Sequence, residues 1–305
     1  MRPIRENTPH KTWFVTSRTL ESRFFLKPDP EAVEVMGFVL ARALRMFPSI
    51  RLRAYVFLSN HLHLVVTDER GELSAFCQRL FGNLARKVNE LRARGGTVFP
   101  RRFSAEEIVD DEAFADRVVY TLLNPADARL VNKYDEWPGL IGWQLLNARR
   151  EVKRFNRRAY AIALRRAEPG LEPRREDFVE TEVLEVAPLP GLIDGDGEPI
   201  DAQVIEREVR EEEAELRKRK PRVLGRQRIL AQRFGDRPLK SKHSWRPLCH
   251  ASTTQIWNAC LARVRAFRVR FAAASAKFRS GRLDAIFPDW SHRPSTYVRG
   301  LLGAT

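Results

Sequence analysis

Residues 52–67, LRAYVFLSNHLHLVVT, read as two β-strands meeting at Ser59 and Asn60. Nearly every position is apolar or β-branched, apart from two histidines. Alternate side chains of a strand point to opposite faces. His61, His63 and Val65 therefore share one face, and Leu62, Leu64 and Val66 the other. The Leu/Val side is a core face. Imidazoles at i and i+2 sit roughly 7 Å apart at about 3.3 Å of rise per residue, close enough to hold one ion. Neutral imidazole is a common ligand for divalent metals, so the pair is a candidate half-site. The same spacing also occurs on solvated sheet faces.

The 305-residue chain has room for one sizeable core and a second, smaller unit. Hydrophobic residues make up 43% and there are six Trp, which excludes a disordered chain. Lys+Arg 54 against Asp+Glu 39 leaves a net charge of +15, with a pI near 10.3. Such an excess favours a polyanionic partner, nucleic acid above all. No apolar run approaches the roughly 18 residues needed to cross a bilayer, and MRPIRENTPHKTW lacks a signal-peptide core. No membrane partner is expected; the location expected is cytoplasmic, nucleoid-associated when bound to DNA. Cys77, Cys249 and Cys260 form an odd set without a CxxC pair, which argues against a disulfide framework. His243, Cys249, His250 and Cys260 lie close in sequence, but their spacing matches no usual zinc pattern.

The flanking segments give an order. Thr12–Ser17 (TWFVTS) reads as a first strand, and Asp29-Pro30 opens a helix striped by Val33, Met36, Leu40 and Leu44. Pro48 ends it, and the histidine hairpin follows. Glu72–Arg94 is a long amphipathic helix stopped by Gly95-Gly96. Val98–Val109 (VFPRRFSAEEIV) reads as a fourth strand with a basic, aromatic approach. A helix capped by Asp110 or Asp111 then carries Phe114, Val118, Tyr120 and Leu122 and is closed by Asn124-Pro125. The order β-α-β-β-α-β, then one more helix, predicts an α+β, ferredoxin-like split βαβ sheet with helices on one side. Residues 1–150 form the expected catalytic domain. Residues 151–204, rich in Arg, Glu and Pro, read as a linker. Residues 205–305 read as a basic, mainly helical region, with a charged solvated helix at 205–220 and further helices at Val223–Phe234 and Thr253–Phe278.

Three motifs carry a family resemblance. FLSNHLHLVV resembles the histidine–hydrophobe–histidine (HUH) motif of the single-tyrosine transposases, in particular the REP-associated tyrosine transposase branch. VFPRRFS is similar to that branch's aromatic-basic segment, and VVYTLLNPADARLV to its tyrosine helix. The likeness spans about Thr12 to Trp143. It implies metal-dependent cleavage and rejoining of single-stranded or hairpin DNA through a 5′-phosphotyrosine, with His61 and His63 as metal ligands and Tyr120 as nucleophile. Ala126-Asp127-Ala128 replaces a more basic turn, and the region beyond about residue 150 receives no role.

The chemistry of these residue types is compatible with that reaction. An un-ionised phenol is a weak nucleophile near neutral pH, and Mg²⁺ or Mn²⁺ on two histidines would polarise the phosphate. Hard cations also want oxygen, and Asn124, one helical turn after Tyr120, is a candidate third ligand; it is equally a residue that closes a helix before proline. Arg101, Arg102, Arg86 and Lys87 are candidate phosphate contacts. A non-catalytic DNA-binding regulator and an RNA-binding protein are the competing functions, and monomer and homodimer both stay open.

Overall fold

The computed structural model describes residues 4–168, 170–219, 222–238 and 247–291. The first half of the chain runs β1 (Lys11–Arg18), α1 (Pro30–Met46), β2 (Ile50–Phe57), β3 (His61–Asp68), α2 (Leu73–Leu91), β4 (Ser104–Ile108) and α3 (Asp111–Asp127). Aspartates start α1 and α3: Asp29 accepts from Ala32 N and Asp110 from Ala113 N at 2.8 Å. The four strands pair antiparallel in the order β4-β1-β3-β2, the expected ferredoxin-like arrangement of an α+β protein. Basic Pro100–Phe103 stays outside the fourth strand, which is shorter than 98–109.

The expectation that helices cover one side fails. Leu62, Leu64 and Val66 pack with α1 and α2, while Val65, Phe14, Ala54 and Val56 pack with α3 on the opposite face. Residues 52–67 are apolar almost throughout because both sheet faces are covered. A bulge at Arg53, where Leu52 pairs with Val66 but Ala54 with Val65, resets the alternation of β2. At the far end of β3, buried Asp68 accepts from the backbone N–H groups of Arg70, Gly71, Glu72 and Leu73 at 2.8–3.2 Å. That carboxylate satisfies donors at the start of α2 that would otherwise lack partners.

The second half adds β5 (Ile141–Trp143), β6 (Arg149–Phe155), α4 (Arg157–Arg166), β7 (Val179–Glu185), β8 (Leu192–Ile193), β9 (Pro199–Ile200), α5 (Ala202–Arg219), α6 (Arg226–Ala231), β10 (Cys249–His250) and α7 (Thr254–Arg279). β5 pairs with β2, and β10 pairs in parallel with β4, making six strands. Residues 151–204, expected as a linker, instead carry an antiparallel β6–β7 pair that packs on α1. Val152 and Leu184 are fully buried there. A Cβ on Gly37 of α1 would stand 2.8 Å from Val152 Cγ1, so the missing side chain admits the strand. The charges that resemble a linker are paired across elements: Arg45 with Glu182 (2.9 Å), Arg42 with Glu180 (3.0 Å) and Arg154 with Glu180 (2.9 Å).

α5 is not a solvated face either. Its Ile205 and Val209 are fully buried against the α3 side, and buried Glu213 accepts from Tyr134 N at 2.6 Å while pairing with Arg210. Burial pushes the Glu213 carboxyl above its ordinary value. The helix expected over 223–234 is shorter, Arg226–Ala231, and α7 fills the last predicted helix. Among the described residues no helix is long and apolar enough to cross a membrane.

Candidate active site

β3 carries the histidines at its start because the β2–β3 turn is held from outside. Thr19 N and Thr19 Oγ1 both donate to Asn60 O (2.9 Å each), and Leu26 N donates to Ser59 O (2.9 Å). The His61 and His63 ring centroids lie 5.0 Å apart, nearly perpendicular. Strand register sets Thr16 opposite His63, and Thr16 Oγ1 is hydrogen-bonded to His63 Nδ1 at 2.9 Å. His61 Nδ1 donates to the amide oxygen of Asn60 (2.6 Å), which places the lone pair of that ring on Nε2. A partner on Nδ1 that fixes the imidazole for ligation by Nε2 is the usual arrangement around metal-binding histidines.

Tyr120 stands over this pair. Its ring centroid is 5.6 Å from that of His63, edge to face, and the residue is 40% exposed, open to a substrate. Phe114, Val118 and Leu122 turn into the core under α3 and thereby aim the other side of the helix at the histidines. The helix does not stop at Asn124-Pro125. It runs through Pro125 to Asp127, so Asn124 keeps helical geometry one turn beyond Tyr120, and it is buried. Proline in the last turn of a helix removes one donor without ending it.

Phe14 of β1 is the hub. It stacks on His63 (5.0 Å, 12°), and both Tyr120 and His250 meet its ring edge-on at 5.6 Å. Arg117, one turn before Tyr120, sets its guanidinium 4.9 Å from the Tyr120 ring and 5.8 Å from that of Phe14. Burial lowers the Arg117 pKa from its ordinary value, against the pull of Asp116 and Tyr120. Arg117 escaped the sequence reading although the spacing 117, 120, 124 puts all three on one helix face. Phe14 and Thr16 could be found only with the β1–β3 register in hand.

The predicted basic contacts lie elsewhere. Arg86 and Lys87 are on α2, on the opposite side of the sheet, bonded to Asn83 and Glu90. Exposed Arg101 and Arg102 sit between α2 and β4, beside an apolar cavity of about 610 Å³ lined by Phe81, Phe99 and Phe103. The suspected zinc residues do not come together as a set among the described residues: Cys249 and Cys260 are buried free thiols in contact with each other, His250 faces Glu106, and His243 lies outside the described residues. Among the described residues no group of three or more His, Cys, Asp or Glu could hold a metal ion. Two imidazoles on one strand, each held at Nδ1, fit a divalent ion that would draw the rest of its shell from other oxygens.

No protein-family model and no curated protein matches the chain. Several solved structures are similar to part of it. One is the REP-associated tyrosine transposase bound to a REP hairpin, with a TM-score of 0.38 and 18% identity over 44% of this chain and 78% of that one. Another is a candidate transposase from Deinococcus radiodurans, with a TM-score of 0.27 and 16% identity over 34% of this chain and 84% of that one.

Proposed function

We propose that the chain is a single-tyrosine transposase of the HUH type, a metal-dependent endonuclease that nicks and rejoins single-stranded or hairpin DNA through a 5′-phosphotyrosine. The observation that carries this reading is the exposed Tyr120 hydroxyphenyl group set edge-on to His63, with His61 5.0 Å beyond it on the same strand. His61, His63 and Asn124 would hold Mg²⁺ or Mn²⁺, which supplies positive charge against the phosphate oxygens. Tyr120 Oη attacks phosphorus, and Arg117 beside its ring neutralises charge on the scissile phosphate. Thr16 and Phe14 hold the His63 ring in one orientation throughout. The covalent link conserves the energy of the broken bond for rejoining.

Incubation of the full chain with labelled single-stranded hairpins, with and without Mg²⁺ or Mn²⁺, tests the proposal. The expected product is a covalent protein–DNA adduct in the wild type. Tyr120→Phe is expected to lose the adduct with DNA affinity nearly unchanged, because ring and fold persist. An adduct that survives in Tyr120→Phe takes the nucleophile's role away from this residue. Tight hairpin binding without any wild-type adduct assigns the chain to the non-catalytic regulators.

A further inference from the structure

His250 reaches the candidate site from near the far end of the described chain. β10 pairs in parallel with β4, His250 opposite Ile108, and Val109 N donates to His250 O at 3.1 Å. Ile108 and Glu106 alternate on the sheet face that also holds Phe14, because Glu106 pairs with Phe14 across β1. There His250 Nε2 lies 3.1 Å from Glu106 Oε2, and Ser104 Oγ donates to the other carboxylate oxygen at 2.7 Å. Both side chains are largely buried. The strand is held by other bonds as well: Ser252 N to Asp110 (2.9 Å), and Arg263 of α7 to Glu107 (2.6 Å). An imidazole fixed by a carboxylate, on the face where Tyr120 stands, is a proton-transfer pair.

We propose that His250, oriented by Glu106, is the general acid of DNA cleavage, protonating the departing 3′-oxygen. This rests on the tyrosine reading above. In phosphoryl transfer the attacking and leaving oxygens stand roughly in line on opposite sides of phosphorus. The acid therefore belongs across the phosphate from the nucleophile. Tyr120 and His250 meet the Phe14 ring separately, each at 5.6 Å, so their centroids are no more than twice that apart. The Phe14 ring is thus common ground for the nucleophile and the acid.

In the step, the Tyr120 Oη–P bond forms and the P–O3′ bond breaks. The phenol proton goes to water, and the imidazolium proton goes from His250 to the 3′-oxygen. Rejoining runs the same transfers backwards, His250 now taking the proton of the attacking 3′-hydroxyl. The charged group in contact with the imidazole is Glu106 on β4. Arg117 on α3 and Arg5 of the N-terminal segment interact electrostatically with Glu106, and Tyr120 and His63 share the Phe14 ring with His250.

The test is single-turnover adduct formation by the full chain on a hairpin oligonucleotide the wild type nicks, made with oxygen or with sulfur at the bridging 3′ position. A thiolate leaves without a proton. His250→Gln is expected to slow the oxygen substrate by roughly 10²–10⁴-fold and the sulfur substrate by less than about threefold. The sulfur substrate doubles as the check that the variant is folded. Glu106→Gln, which removes the carboxylate that orients the imidazole, should likewise slow the oxygen substrate and spare the sulfur substrate. Equal slowing of both substrates by His250→Gln, or an undiminished rate of that variant on the oxygen substrate, overturns the assignment while leaving Tyr120 in place. A wild type that forms no adduct with either substrate removes the tyrosine reading and this role with it.

Discussion

Phe14 lies flat against His63, the ring centroids 5.0 Å apart and the planes 12° from parallel. One apolar ring thus fixes the histidine on one side while Thr16 holds its Nδ1. Stacked aromatic pairs contribute about 0.5–1.5 kcal/mol beyond the area they bury. Replacement of Phe14 by Leu keeps an apolar group but frees the imidazole to tilt. Adduct formation should slow roughly two- to tenfold, the rate equivalent of that energy. A full-rate Phe14→Leu variant would show that the stack has no part in positioning.

Asn124 is predicted to set the metal requirement. If its amide oxygen is a ligand, Asn124→Ala needs a much higher metal concentration for half-maximal cleavage, and Asn124→Asp or Mn²⁺ restores part of the loss. Metal titrations of the three proteins decide it. A variant that melts earlier yet keeps the wild-type metal dependence makes Asn124 a structural residue of α3.

The two arginines ahead of β4 are expected to bear on affinity, not chemistry. Each phosphate neutralised on single-stranded DNA contributes about 0.7 to the slope of log K against log salt. Replacing Arg101 and Arg102 by Ala should therefore flatten that slope by roughly 1.4. An unchanged slope moves the phosphate track to α7, where Arg265 and Arg270 are exposed.

Acid stability should depend on the β6–β7 pair. Burial alone would raise the Glu180 carboxyl, but hydrogen bonds from Asn156 and Arg154 and the nearby Arg42 hold it below the ordinary 4.5. A carboxylate with a depressed folded pKa stabilises above its unfolded pKa and loses that contribution as pH falls through the folded value. Glu180→Gln should lower the melting temperature at neutral pH, and the gap to wild type should narrow as pH falls below the ordinary carboxylate range. Parallel melting curves at pH 7 and pH 3 would contradict this.

The pattern of residues 52–67 disclosed the two strands at the centre of the sheet, and 3.6-residue spacing disclosed α1, α2, α3 and α7. The rest was hidden for physical reasons. β5 and β10 have three and two residues, too few for any alternation. The β6–β7 pair buries Val152 and Leu184 among arginines and glutamates whose partners lie more than a hundred residues away in α1, so its composition resembles a linker. At the site, Tyr120, His61 and His63 were visible as motif residues. The contributions of Phe14, Thr16 and His250 depend on which strands lie side by side, which no local pattern encodes.

The parallel pairing of β10 with β4 also has a consequence in time. Some 140 residues separate the two strands in the chain, and synthesis at about 5–20 residues per second puts roughly 7–28 s between them. Through that interval β4 is an open sheet edge, its backbone donors and acceptors available to another chain. The interval before residues 249–250 emerge is thus the period in which a ribosome-bound chain is most prone to strand-by-strand association with its neighbours. A stalled or shortened message would prolong that state indefinitely.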